Sequence, residues 1–211
     1  LLRPSGGAIE GCGAIVVSDP GRGGVFAFAP EGGPEIREFA YGQRRFGSPA
    51  GIACGPSGSL LVADAALGVV VELDAKGVTR RRIGEGTLGR PTGLALDRER
   101  GELYVADTAA HDVKVFDAQG ALVRRLGRRG EAEGEFNFPT HLWFRDGELY
   151  VSDTLNGRVQ VFARGADRPR LVVGSRGLYV GQLVRPKGVA TDSAGNIYVV
   201  ESYYDHLLVY D

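Results

Sequence analysis

Short apolar runs separated by polar turns fill the whole chain, and their period is two rather than 3.6. Residues 151–162, VSDTLNGRVQVF, show the unit: Leu149–Ser152 and Arg158–Phe162 alternate apolar and polar positions around a polar turn at Asp153–Gly157. That pattern predicts a β-hairpin. The hairpin recurs as VVSDPGRGGVFAF (16–28), LVADAALGVVVEL (61–73), YVADTAAHDVKVF (104–116) and YVVESYYDHLLVY (198–210). In all five copies an acid is followed nine residues later by an aromatic residue or Leu: 19→28, 64→73, 107→116, 153→162 and 201→210.

A proline precedes each acid by 14 to 16 residues: Pro4, Pro49, Pro91, Pro139 and Pro186, spaced 45, 42, 48 and 47 residues apart. Four of the five open a P-x-G followed by a short apolar strand, as in PTGLALD (91–97) and PKGVATD (186–192). After the hairpin comes a further apolar segment: VTRRRIG (78–84), ALVRRLG (121–127) and PRLVVGS (169–175). One unit is therefore four short strands, which is the signature of a propeller blade. A lone four-stranded unit cannot bury both faces of its sheet, so each must pack on its neighbours. The hairpin supplies the two middle strands.

The unit F-x-x-P-x-G-[LI]-A-x-D-x-x-G-x-[LI]-Y-V-[AS]-D-[ST]-x-N-x-R-V-x-V-F resembles the NHL repeat, with Phe136–Phe162 and Leu88–Phe116 matching best. The resemblance covers essentially the whole chain. It implies an all-β, six-bladed β-propeller of four-stranded antiparallel blades, with about five blades represented here. Residues 1–211 read as one propeller domain whose units start near 1, 46, 88, 136 and 183. Six blades at about 45 residues need about 270, so the expectation is a native protein longer than this chain. The opening LLRPSGGAIE has no initiator Met, signal peptide or lipid-attachment Cys, and reads as the start of a processed chain or of a piece of a longer one.

Composition narrows function by exclusion. Net charge is −1, so no global pull toward nucleic acid or anionic membrane is expected. No apolar run approaches the roughly 20 residues of a membrane-spanning helix. Glycine, at 33 residues, fits many tight turns. Cys12 and Cys54 have neither zinc-ribbon nor haem-attachment spacing; they read as two thiols, with one disulfide as the alternative.

The repeated acids Asp19, Asp64, Asp107, Asp153 and Glu201 suggest a ring of carboxylates. Each sits at a strand-to-turn junction, where a short carboxylate accepts hydrogen bonds from turn amides, so they read as structural. The inner strands align as GGA (6–8), GIA (51–53), GLA (93–95) and GVA (188–190), but the fourth unit reads His141–Leu142–Trp143. Residues i and i+2 share a face of a strand. His141 and Trp143 thus stand where other blades carry Gly and Ala, and are the binding candidates, near the channel; filling space between blades is the competing reading.

Catalytic and metal residues are not expected. Animal lyases built on this repeat hold zinc through axial histidines, whereas His111, His141 and His206 occupy three different repeat positions. No P-loop, G-x-S-x-G, H-E-x-x-H or dinucleotide fingerprint occurs, and no cofactor is implied. Arginines at 80–82, 124–125 and 128–129 fall on or after outer strands, interleaved with Glu85, Glu131, Glu133 and Glu135. They read as a solvated edge rather than as a single-stranded RNA surface.

The expectation is a non-enzymatic protein-binding scaffold, with recognition on the long loops GRRGEAEGEFNF (127–138) and GSRGLYVGQLV (174–184). The resemblance further implies an exported, periplasmic or surface-associated bacterial protein, with a multihaem cytochrome or other surface assembly as partner. The alternatives are a propeller hydrolase or lyase with its site at the channel mouth near His141, and single-stranded RNA binding.

Overall fold

The computed structural model describes residues 1–9, 14–29, 37–39 and 45–211; Cys12 lies outside them. Five antiparallel sheets follow one another along the chain. The first is β1 (Gly6–Ile9), β2 (Ile15–Asp19), β3 (Gly24–Phe28) and β4 (Arg37–Phe39). The second is β5 (Pro49–Cys54), β6 (Leu60–Asp64), β7 (Val69–Leu73) and β8 (Thr79–Ile83), and the third is β9 (Pro91–Asp97), β10 (Glu102–Asp107), β11 (Asp112–Phe116) and β12 (Leu122–Leu126). The fourth is β13 (Pro139–Arg145), β14 (Glu148–Asp153), β15 (Arg158–Ala163) and β16 (Leu171–Val173). The fifth has three strands, β17 (Pro186–Thr191), β18 (Ile197–Glu201) and β19 (His206–Tyr210). The chain is an all-β propeller of five blades, and the hairpins read from sequence are the middle strands of each.

The second, third and fourth sheets are apolar on both faces because each face meets a neighbouring blade. Val16, Val25 and Phe39 pack on Ile52, Val62 and Val71 between the first and second blades. Ala63, Val70 and Ile83 meet Leu94, Val105 and Phe116 between the second and third. Tyr104, Val113 and Leu126 meet Leu142, Val151 and Phe162 between the third and fourth, and Val159, Val161 and Val173 meet Val189, Ile197 and Val199 between the fourth and fifth. The inner strands β1, β5, β9, β13 and β17 touch one another in that order and line the axis.

The P-x-G glycine permits that approach. A Cβ on Gly51 would lie 2.1 Å from the Thr92 carbonyl oxygen of the next inner strand, and one on Gly6 would lie 2.2 Å from that of Ala50. Gly188 meets no following strand: a Cβ there would find only Val200, at 3.5 Å. Gly51→Ala is therefore expected to destabilise by about 1–3 kcal/mol through overpacking against backbone, and Gly188→Ala to leave stability unchanged. Urea denaturation of the two variants side by side checks the contrast.

The axial pocket as candidate functional site

Four of the five acids share one task. Asp64 accepts the backbone N–H groups of Gly47 and Ser48 (2.7 and 2.9 Å), Asp107 those of Gly89 and Arg90 (both 2.8 Å), and Glu201 those of Val184 and Arg185 (2.8 and 2.9 Å). Asp19 accepts those of Leu2 and Arg3. In every case the clamped pair is the two residues before the blade's proline. Asp19, Asp64 and Glu201 also accept N–H groups from their own hairpin turns. All five carboxylates are buried.

The fourth blade departs from this plan. Asp153 takes only the Asn137 N–H (2.7 Å), and its other oxygen receives Arg158 Nε, Asn156 Nδ2 and Gln160 Nε2. The Phe138 N–H turns instead to His111 Nδ1 of the preceding blade, at 3.2 Å. Phe138 has φ of +55°, a left-handed conformation uncommon for a bulky residue. Its ring stands edge-on to the His111 ring, with centroids 4.6 Å apart. Burial raises the Asp153 pKa, whereas at Asp107 the opposing effect of burial is outweighed by the Lys114 ammonium and the Gly89 and Arg90 N–H groups, so its pKa falls.

Where the inner strands begin, they enclose a cavity of about 440 Å³ at the mouth of the channel. Its walls are the residues flanking the repeated prolines, among them Ser5, Ala50, Arg90, Thr140, Arg185 and Lys187. Hydroxyls tie this wall together: Thr108 donates to the Pro139 carbonyl (2.6 Å), Thr154 to that of Pro186 (2.9 Å) and Ser152 to that of Lys187 (2.5 Å).

His141 and Trp143 share a face of β13 but have different surroundings. His141 lines the cavity, half-buried, with Nδ1 3.0 Å from Thr140 Oγ1. Burial and the neighbouring Lys187 ammonium push its imidazole down to about 4, so the ring is neutral at pH 7. Trp143 lies outside the cavity wall and packs against the cluster between the fourth and fifth blades, its indole N–H donating to Thr191 Oγ1 at 3.0 Å. Sequence reading missed Arg90, Arg185, Lys187 and Phe138. The available signal was their place: each sits directly beside a constant proline.

Several of the outer-edge arginines are tied to acids, Arg81 to Glu72, Arg82 to Glu85 and Arg128 to Glu135. Among the described residues, no three His, Cys, Asp or Glu side chains gather as a metal site, and no helix is long and apolar enough to cross a membrane.

No curated protein matches the sequence. Many solved structures share the fold, among them three that differ in what they do. A chain of the nidogen/laminin complex superposes with a TM-score of 0.79 at 20% identity, over 99% of this chain and 75% of that one. Streptogramin B lyase gives 0.73 at 13% identity, over 99% and 68%. The gluconolactonase of Xanthomonas campestris gives 0.73 at 20%, over 94% and 69%. Residues 88–116 match the NHL repeat family. That repeat makes up the third blade, and the other blades follow the same strand plan, so the chain is a β-propeller with an NHL repeat at residues 88–116.

Proposed function

We propose that this propeller is a protein-binding scaffold of an exported or surface-associated assembly. One comparison within the chain carries the reading. The loops 127–138 and 174–184 have the same backbone design. In one, Gly130 N–H donates to Phe136 O and Phe136 N–H to Arg128 O; in the other, Gly177 N–H donates to Leu183 O and Leu183 N–H to Ser175 O. Glu135 and Gln182 cap the two tips alike, accepting from Ala132 N and Tyr179 N. Yet the first tip reads Glu131–Ala132–Glu133 and the second Leu178–Tyr179–Val180, exposed at 68, 83 and 103%. The fold needs no apolar residue there, since charged ones build the same loop. Exposed, contiguous apolar residues with an aromatic at their centre fit a partner surface.

The nidogen/laminin chain is a propeller found with a protein partner, which is compatible with this reading. The enzyme alternative rests on His141 in the cavity and on the lyase and gluconolactonase folds. Native mass spectrometry of the protein from its own source separates the two. A co-purifying protein that is lost from the triple variant Leu178→Glu, Tyr179→Ala, Val180→Glu, with the melting temperature unchanged, is the expected result. A lone chain carrying stoichiometric zinc or calcium would overturn the scaffold in favour of the enzyme.

The scaffold includes a sixth blade of the same repeat on the open face of the fifth. Leu207 and Val209 of β19 are exposed there, as is Val200 of β18, whereas β7 and β11, the counterparts of β19, are buried throughout. Gly188→Ala, neutral in the 211-residue chain, then becomes destabilising in a chain that carries this blade; equal stability in both settings would remove it.

A further inference from the structure

Three cations meet at the axial cavity with nothing opposite them. Arg90 and Arg185 stand immediately before Pro91 and Pro186, and Lys187 immediately after the latter. All three line the cavity, and no lining side chain is acidic. Among the described residues none of the three has an ion-pair partner, although eleven other contacts between opposite charges stabilise this chain's surface and interior. They feel one another: burial lowers the Lys187 pKa, and the Arg185 and Arg90 charges lower it further. Arg90 and Arg185 are exposed and Lys187 is half-buried; like charges held together around one concavity favour an anion that completes them.

The main chain is built to keep them there. Asp107 clamps the backbone of Arg90 and Glu201 that of Arg185, so these carboxylates face peptide N–H groups and not the cavity. On the same rim the fold tolerates a left-handed Phe138, anchored on His111, and so presents a half-exposed aromatic ring beside the cations. Leu155 adds a second apolar side chain to the lining. A backbone held in such a conformation is a pointer to function. Guanidinium groups match planar oxyanions, which they grip through paired N–H donors. A volume near 440 Å³ falls in the range of small-molecule sites.

We propose that the axial cavity binds a carboxylate ligand with an apolar body, the carboxylate held by Arg90, Arg185 and Lys187 and the body lying against Phe138 and Leu155. His141, neutral at pH 7, adds a hydrogen-bonding wall without adding charge. This site stands independently of the loop tip at Leu178–Val180, and either can hold without the other.

Calorimetric titration of the 211-residue protein with 3-phenylpropionate and with its neutral amide tests the proposal. The acid is expected to bind, the amide to bind at least about tenfold more weakly, and Arg90→Gln and Lys187→Gln each to weaken the acid by a similar factor. Arg90 is exposed and its side chain makes no hydrogen bond or ion pair among the described residues, so Arg90→Gln keeps the test valid should Lys187→Gln misfold. Phe138→Gly, which suits the left-handed backbone, is expected to weaken the acid and leave inorganic phosphate unaffected. Acid and amide binding alike, acid binding unchanged in Arg90→Gln, or no heat from the acid at any soluble concentration would each overturn the site. A tripeptide with a free C-terminal phenylalanine identifies the source. Tighter binding than 3-phenylpropionate assigns the carboxylate to a polypeptide terminus, and weaker binding assigns it to a free small acid; both support the site.

Discussion

Asp107→Ala is expected to cost about 3–5 kcal/mol of folding stability, the range for removing one partner of a buried ion pair. Lys114 is 1% exposed, and its ammonium lies 2.7 Å from both Asp107 and Asp112. Taking away Asp107 leaves that cation in the core with one neighbour, and strips the Gly89 and Arg90 N–H groups of their acceptor. Lys114→Met in the Asp107→Ala background should recover part of the loss, because the stranded charge goes with it; denaturant melts of the four proteins in the cycle measure that coupling. The pH dependence has a defined sign. Asp107 has its pKa lowered by folding, so it contributes stability above the unfolded carboxylate's value of about 4, and that contribution is lost as pH falls through the folded value. Wild type should thus lose its advantage over Asp107→Ala in acid. A constant difference between the two proteins down to pH 2 would contradict this account.

The blade was legible in the sequence because its determinants are local and repeated. Strand alternation, the proline, and the acid nine residues before an aromatic are all short-range constraints that every copy must satisfy. The acids could be read as turn residues, but not as clamps on the two residues before the proline. A carboxylate bonded to peptide N–H groups across the blade asks nothing of the side chains it holds, so Gly89, Ser48 and Val184 carry no trace of it. The cations of the cavity were hidden for a related reason. Arg90, Arg185 and Lys187 lie in two units and converge only when the ring brings the proline flanks together, while the visible arginine runs at 80–82 and 128–129 include residues held in ion pairs at the periphery. Likewise the contrast between Glu131–Glu133 and Leu178–Val180 acquires meaning only once both tips are seen on one backbone design.

His141 and Trp143 stood out in the sequence as exceptions, but their separation did not. They share a face, yet two residues along a strand is about 7 Å, enough to carry one side chain from the cavity wall into the packing between blades. That distance makes Trp143→Ala the sharper test. Elsewhere Gly and Ala let neighbouring inner strands close up; here the indole fills the gap between β13 and β17 and joins the cluster of Tyr150, Val189 and Ile197. Its N–H holds Thr191 Oγ1, while Arg145 holds the carbonyl of the same residue at 3.1 Å. Alanine would remove both the packing and one of these two ties. Full burial of an aromatic costs about 3–5 kcal/mol to reverse, and for this half-buried ring about 2–4 is expected. Trp143→Phe, which keeps most of the volume and loses the hydrogen bond, should cost about 1 kcal/mol. The urea midpoint should fall with an unchanged slope if the blades still unfold together. A Trp143→Ala protein as stable as wild type would mean that the ring is not part of the packing, and would return Trp143 to the binding surface with His141.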